Sequence, residues 1–286
     1  MLDEAPAFEP VQRLPDGLDR DVAWWCEMGE ARAVADACAA AAGVPGNPTG
    51  ATTATVGGAV VSALTVIDFG YFNRVIGLGI AAPARRADVA AAVAFYDGLG
   101  LQQAAIHVAN GAAPDQLPDW VAEAGFVLGG RWVKMWHDLR RIDAVSADRR
   151  IERIGAEDRE AYGDIVMAAF EMPEPVRDFA AATVGRTGWV HYLGYEGDTP
   201  VAAGAMRVDE DVAWLGYGAT LEGHRGRGWQ TSMFLRRLHD ARDRGCRLAV
   251  TETGEENDKN PVNPSYRNMV RTGFRLAYAR RNWYRG

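Results

Sequence analysis

The feature that most constrains the fold is a glycine- and arginine-rich loop, GHRGRGWQ, at residues 223–230. A β-rich run, VAWLGYGATL, comes directly before it, and residues 228–244 follow with Phe234, Leu238 and Ala241 on one helical face. Amides in the first turn of a helix lack an intrahelical acceptor, and glycines let an anion approach them. The order predicts a strand–loop–helix unit whose loop binds phosphate, although so short a motif also occurs in ordinary exposed turns.

Length and charge limit the possible partners. The chain has 286 residues, of which 48% are hydrophobic and 24% charged, and its formal net charge is −7. These values are typical of a globular chain, and the length favours two compact domains. We expect no binding to nucleic acid or to an anionic membrane surface, whereas a local basic loop can still bind a small anion.

Cysteine usage and the first residues predict the compartment. Cys26, Cys38 and Cys246 are an odd set without C-x-x-C or Cys/His spacing, so neither a disulfide framework nor a metal site is indicated. The opening MLDEAPAFEP is acidic and lacks the pattern of a signal peptide. We therefore expect a cytoplasmic protein without a bound metal, either a monomer or a homodimer.

The order of predicted elements divides the chain into two halves that repeat each other faintly. The polar stretch LRRIDAVSADRR at residues 139–150 is the predicted linker. The repeated segments are IGLGIA at 76–81 with LGYGAT at 215–220, and EAGFVL at 123–128 with RTGFRL at 271–276. The first half carries APARRADV where the second carries the glycine-rich loop.

With these elements in order, the second half resembles the GCN5-related N-acetyltransferase (GNAT) superfamily. Its central pattern, [Q/R]-x-x-G-x-[G/A], lies between the fourth strand and the third helix of that fold. Arg225 and Gly228 match the first and fourth positions, and Gln230 replaces the small residue at the sixth. NPSYRNMVRTGF at residues 263–274 resembles a later motif, an asparagine followed by a helix that ends in Gly-Phe. The resemblance covers residues 150–286, and the first half resembles a degenerate relative, as in tandem members.

The resemblance implies an α/β (α+β) fold with two GNAT-like domains, residues 1–145 and 146–286. Each would have a mixed, mostly antiparallel central sheet flanked by helices. In that family the loop binds the pyrophosphate of acetyl-CoA, and the fourth strand splays from the fifth so that the pantetheine pairs with free backbone groups. An amide there can also stabilise an oxyanion. The implied acetyl-CoA-binding residues are Tyr217, Gly218, Ala219, Thr220, Leu221, Arg225, Gly226, Arg227, Gly228, Trp229, Gln230 and Asn263.

Acetyl transfer to an amine needs a proton acceptor for the nitrogen and benefits from a donor for the leaving thiolate. The family often places a tyrosine four residues before the glycine of Gly-Phe, where this chain has Met269. Tyr266, one turn earlier, is the predicted donor, with a packing role as the alternative. Glu252 is the predicted base or amine-binding carboxylate, with a solvated strand-end acid as the alternative. Asn263, before Pro264, also suits a helix N-cap.

Three functions compete. The first is an acetyl-CoA-dependent N-acyltransferase that acetylates a primary amine of a small molecule or peptide by direct attack. The second is a noncatalytic acyl-CoA sensor, suggested by Met269 and Gln230. The third treats AFYDGLGL at residues 94–101 as similar to a glyoxalase-type metal enzyme, with only His107 and His137 as histidine ligands in that half.

Overall fold

The computed structural model describes residues 18, 20–142, 145, 148–258 and 261–286. The helices in this part of the chain are α1 (Val22–Ala42), α2 (Arg86–Gly98), α3 (Leu117–Glu123), α4 (Arg159–Phe170), α5 (Glu174–Ala181), α6 (Trp229–Asp243) and α7 (Pro264–Arg271). The strands are β1 (Ala51–Val56), β2 (Ala59–Leu64), β3 (Arg74–Ile76), β4 (Ala104–Val108), β5 (Val127–Asp138), β6 (Arg150–Ile154), β7 (Trp189–Glu196), β8 (Thr199–Asp209), β9 (Val212–Thr220), β10 (Leu248–Gly254) and β11 (Arg275–Arg285).

Across the described residues the strands form one sheet in the order β1-β2-β3-β4-β11-β5-β10-β9-β8-β7-β6. The pairs β3–β4 and β9–β10 are parallel, and the other pairs are antiparallel. The last strands of the two halves are exchanged: β11 lies between β4 and β5, and β5 lies between β11 and β10. The halves are therefore joined by backbone hydrogen bonds at the centre of the sheet.

Helices cover both faces of this sheet. Helix α1 contacts strands of both halves, from β1 to β10, and shares a hydrophobic core with α4 and α5. Helices α6 and α7 pack on a second core with β8, β9 and β10, and α2 and α3 pack on a third core with β1 to β4. Helix α1 thus binds the two halves together from one side.

The predicted fold class, a mixed and mostly antiparallel sheet flanked by helices in each half, is confirmed, and the two sheets join into one. EAGFVL and RTGFRL lead into β5 and β11, the two exchanged strands, so the repeat marks equivalent positions. The predicted boundary between residues 145 and 146 falls beside positions 143, 144, 146 and 147, which lie outside the described residues. That boundary stays a prediction.

Candidate functional site

The glycine-rich loop forms an exposed turn at the N-terminus of α6. Residues 225–228 are exposed, and Gly226 and Gly228 have φ values of 75° and 85°, which favour glycine. The first intrahelical bond of α6 runs from the Ser232 amide to the Gly228 carbonyl, 3.1 Å. The amides of residues 229–231 therefore have no intrahelical acceptor, and the mouth of the helix is open.

The two arginines of the loop bind protein groups. Arg225 donates to the carbonyl oxygens of Thr220 (3.2 Å) and Ala169 (2.7 Å), which ties the loop to the ends of β9 and α4. Arg227 lies 3.3 Å from a carboxylate oxygen of Glu196. Arg227 keeps half of its side chain exposed. The side chain of Arg225 thus shapes the loop, and the backbone amides are the groups left for an anion.

The last two loop residues connect α6 to its surroundings. The Trp229 side chain is buried in the second core, with the guanidinium of Arg149 over its ring at 5.4 Å. The Gln230 side chain donates to Ser265 Oγ at 3.2 Å and accepts from Asn268 Nδ2 at 2.7 Å. The larger residue at the sixth motif position therefore bridges α6 and α7. Only the backbone of Trp229 remains open to a ligand, because its side chain is buried.

Strands β9 and β10 splay apart beside this loop. They pair only from Leu248 with Val212 to Val250 with Trp214, after which β9 continues to residue 220. The Thr251 hydroxyl donates to the Leu215 carbonyl at 2.8 Å and closes the end of the paired region. Beyond this point, β9 has no strand partner on its β10 side within the described chain.

A β-bulge lies where the splay begins. Between Gly216 and Ala219, β9 has two residues where β8 has one, because Ala205 pairs with Gly216 and Ala203 with Ala219. Tyr217 lies in this bulge with φ of 53°, an uncommon conformation for a bulky residue. A strained backbone of this kind is often found at functional sites. The structure thus brings residues 217–221 together with the loop at one side of the splay.

Arg237 of α6 contacts both strands at this bulge. It is 1% exposed, and it donates to the carbonyl oxygens of Ala205 and Gly216, both at 3.1 Å. No described carboxylate pairs with it, and its Nη2 atom has no hydrogen-bond partner among the described residues. Burial lowers the pKa of Arg237 to about 10. A buried cation therefore binds one backbone carbonyl of each strand at the edge of the bulge.

A cavity of about 530 Å³ opens along the splay. Its walls come from β9, β10, α6 and α7 on one side and from α1, α4 and α5 on another. The first half contributes the segment around Phe69 to Phe72, Arg74 of β3 and Trp132 of β5. The site is therefore built by both halves of the chain.

Glu252 lies on β10 at the wall of this cavity. Its Oε2 atom accepts from Lys134 Nζ at 2.7 Å and from Arg280 Nη2 at 2.9 Å, and its Oε1 atom lies 3.9 Å from Arg74 Nη1. Burial raises the pKa of Glu252, and the neighbouring Glu30 carboxylate raises it further. A solvated strand-end acid is the wrong interpretation of Glu252, because the residue lies in a buried ionic cluster.

The cluster contains three carboxylates and three cations. Its members are Glu27 and Glu30 of α1, Arg74, Lys134, Arg280 and Glu252. Burial alone would raise the pKa of Glu30, but Arg280, Lys134 and Arg74 hold it well below its ordinary value. The charges of the cluster balance when all six groups are ionised, as buried charges require.

The residues of α7 and its N-cap differ in their positions relative to the cavity. Asn263 is the N-cap, since its Oδ1 accepts from the amides of Ser265 (2.9 Å) and Tyr266 (3.3 Å), and its Nδ2 donates to the Gly254 carbonyl (2.6 Å). This confirms the capping interpretation. Ser265 and Met269 line the cavity, whereas the half-buried Tyr266 packs against the second core. The roles of Tyr266 as a proton donor and of Asn263 as an acetyl-CoA ligand stay predictions.

The equivalent places in the first half are filled by the protein itself. At the N-terminus of α2, the Asp88 carboxylate accepts from the Arg85 amide at 2.8 Å and from the Arg85 guanidinium. Beyond β3, the Gly79 carbonyl accepts from the Ala113 amide at 2.9 Å, so a loop occupies the position that the cavity has in the second half. The first half thus lacks both features of the site.

The sequence interpretation missed the ionic cluster and Arg237. A signal was present in each case: Arg74 and Lys134 are charged residues inside otherwise apolar strands, and Arg237 interrupts the apolar face of α6. Across the described ranges, no group of three or more His, Cys, Asp or Glu side chains is arranged to hold a metal ion. No helix in the same ranges is both long and apolar enough to span a membrane.

Comparison with known proteins identifies the fold. No protein-family model and no curated protein matches this chain. Among solved structures, a GCN5-related N-acetyltransferase from Kribbella flavida matches with a TM-score of 0.60 at 18% identity, covering 87% of this chain and 95% of its own. One from Sphaerobacter thermophilus matches with a TM-score of 0.57 at 15% identity, covering 90% and 91%. A tandem GNAT protein from the clavulanic acid biosynthesis pathway matches with a TM-score of 0.56 at 19% identity, covering 79% and 77%.

At these identities the comparisons establish the fold, which is that of the GNAT acetyltransferases. More particularly, two GNAT-like halves follow each other in one chain, so the arrangement is the tandem GNAT fold.

Proposed function

We propose that the chain is an acetyl-CoA-dependent N-acyltransferase that acetylates a primary amine of a small molecule or peptide. One observation carries this proposal: the bulge at Tyr217 and the splay of β9 from β10 open onto a cavity that reaches Glu252. Backbone of β9 at residues 216–218, the first turn of α6 at Gln230 and the carboxylate of Glu252 thus lie around one chamber. This is the set of groups that acetyl transfer to nitrogen requires.

The residues present fit acetyl-CoA as a co-substrate. The open amides of residues 226–231 at the mouth of α6 would hold its pyrophosphate, because helix N-termini favour anions. The unpaired edge of β9 at residues 217–221 would hold the pantetheine arm through backbone hydrogen bonds. Arg227 would add positive charge, whereas the guanidinium of Arg225 already binds two carbonyl oxygens. The second half alone would bind acetyl-CoA, since Asp88 caps the equivalent helix of the first half.

Acetyl-CoA would supply the acyl group as a thioester. The acceptor nitrogen forms a new bond to the acyl carbon, and the carbon–sulfur bond breaks with its electron pair on sulfur. Glu252 accepts the proton that the nitrogen loses, and Tyr266 is the proposed donor to the sulfur. The raised pKa of Glu252 makes its carboxylate a stronger base than an ordinary glutamate.

A noncatalytic acyl-CoA sensor is the second candidate. Met269 lines the cavity at the position where the family often has a tyrosine, and Tyr266 packs against the core. Both observations favour binding without proton donation. Release of free thiol from acetyl-CoA in the presence of a panel of amines distinguishes the two functions, because the sensor binds acetyl-CoA and releases none.

The loop assignment is tested with the double variant Arg225→Glu, Gly228→Asp. Two negative charges at the mouth of α6 are expected to weaken acetyl-CoA binding at least about a hundredfold in calorimetry, since charge-assisted contacts are each worth about 1.5–3 kcal/mol. The matched control is Arg242→Glu, Gly245→Asp at the other end of α6, where Gly245 also has positive φ (88°) and open space. Unchanged affinity in the loop variant, or equal loss in the control, would show the assignment to be wrong.

A further inference from the structure

The cavity beyond the splay is an aromatic chamber that the two halves form together. Phe72 of the first half meets Phe179 of the second with ring centroids 6.0 Å apart, and Tyr71 lies 5.5 Å from Trp132. Phe69 and Phe170 line the same cavity and are 42% and 45% exposed. Partly exposed aromatic side chains gathered around one opening indicate a binding site for an apolar group.

The charged side chains that line the cavity indicate which polar group the ligand carries besides its apolar part. Among the described residues that line the cavity, Glu252 is the single carboxylate. Arg74 is already paired with Glu30 at 3.1 Å and lies 4.9 Å from the Tyr71 ring. Arg237 donates to backbone carbonyls through Nη1, and its Nη2 atom, which has no hydrogen-bond partner among the described residues, lies beside Gly218 on the edge of β9 proposed for the pantetheine arm. One carboxylate in the wall of a largely apolar cavity is suited to one ammonium group. A polycation would bring further ammonium groups for which the described lining has no carboxylate, and an unpaired charge in an apolar site is costly.

We infer that the acceptor is a primary amine carried on an apolar, ring-sized body without a carboxylate, that is, an arylalkylamine. Its nitrogen lies at Glu252 and its body lies against the aromatic side chains that both halves supply. This inference rests on the proposed acetyl transfer. It assigns the first half a direct role, because Phe69, Phe72 and Trp132 bind the acceptor although that half has no acetyl-CoA site.

Three commercially available amines test the inference. 2-Phenylethylamine has the inferred chemistry, phenylalanine adds a carboxylate to the same body, and spermidine replaces the ring by further charges. With acetyl-CoA saturating, kcat/KM from thiol release is expected to be at least about tenfold higher for 2-phenylethylamine than for either of the others. Equal values, or a preference for phenylalanine or spermidine, would overturn the inference.

A variant at the opening of the cavity tests where the acceptor amine binds. Phe170→Glu changes a partly exposed side chain and is expected to raise the KM for 2-phenylethylamine at least about tenfold, because an apolar contact is replaced by a charge. The affinity for acetyl-CoA, measured by calorimetry, should stay the same. Leu99→Glu, which changes a similarly exposed apolar residue at the end of α2, is the control and should alter neither value.

The outcomes separate the inference from the function on which it rests. If acetyl-CoA does not bind the native protein, the proposed function fails. If acetyl-CoA binds and thiol is released, but Phe170→Glu leaves the KM for 2-phenylethylamine unchanged, only the acceptor assignment fails.

Discussion

Glu252 combines a position on the cavity wall with membership of a buried ionic cluster. Lys134 and Arg280 hold its Oε2 atom, and its Oε1 atom lies 3.9 Å from Arg74 Nη1. The carboxylate is thus oriented by cations on one side and open to the cavity on the other. Its raised pKa follows from burial and from Glu30, so the group keeps its proton at a higher pH than an ordinary glutamate does.

This shift gives the reaction a specific pH dependence. Two groups must lose protons, the acceptor ammonium and Glu252. Below the raised pKa of Glu252, log kcat/KM should rise by about two for each pH unit, and above it by about one until the amine is neutral. In Glu252→Gln the slope should be about one throughout, and kcat should fall about 10²- to 10⁴-fold.

The measurement is a pH profile of thiol release with 2-phenylethylamine. Calorimetry of acetyl-CoA binding and a melting curve serve as controls, because Gln has the size of Glu but leaves the ionic cluster with excess positive charge. A slope of two in the variant would exclude Glu252 as the proton acceptor.

At the scale of elements, the β9 bulge depends on a side chain of α6. Arg237 donates to the carbonyl oxygens of Ala205 and Gly216, the last residue pair before the register shift of the β8–β9 ladder. Arg237→Met leaves both carbonyls buried without this donor, at a cost of about 1–3 kcal/mol each in unfolding free energy. The bulge should relax toward a regular ladder, and acetyl-CoA affinity should fall about tenfold or more, since an ordered backbone edge is lost.

Urea unfolding and calorimetry measure the two effects. Arg242→Met is the matched control, an arginine on the same helix whose side chain is exposed and pairs with its neighbour Asp243. A native affinity for acetyl-CoA in Arg237→Met would show that the bulge does not require the guanidinium.

The elements themselves were largely predictable from sequence, and their contacts were not. Apolar spacing and the glycine after it gave α6 close to its observed range, and the run before the loop gave β9. The N-cap at Asn263 could be predicted because it is local and follows from residue type. The bulge at Tyr217 could not, because its carbonyl contacts come from Arg237, twenty positions further along the chain. The partners of Glu252 come from four other elements, α1, β3, β5 and β11, so no local pattern around TETGE indicates them.

At the scale of the whole molecule, the exchange of β5 and β11 makes each half depend on the other. β11 fills the place between β4 and β5, and the ionic cluster under the cavity takes Arg74 and Lys134 from the first half and Glu252 from the second. The halves are therefore expected to fold together, although the repeat indicates that each has a similar fold.

Arg280 of β11 tests this dependence. It is fully buried and contacts Glu27, Glu30 and Glu252. Arg280→Met leaves three carboxylates with two cations, and removal of one partner from a buried ionic group costs about 3–5 kcal/mol. Because β11 and the cluster belong to both halves, far-UV circular dichroism and tryptophan fluorescence should follow one shared transition in urea, and its midpoint should move to a lower urea concentration.

Two further variants serve as controls. Arg281→Met, at the half-buried neighbouring position, should change the midpoint little. Adding Glu27→Gln to Arg280→Met should recover part of the lost stability, because it removes one unpaired charge. If the two probes gave separate transitions and only one moved, the halves would be independent in stability, and the exchanged strands would join them without coupling them.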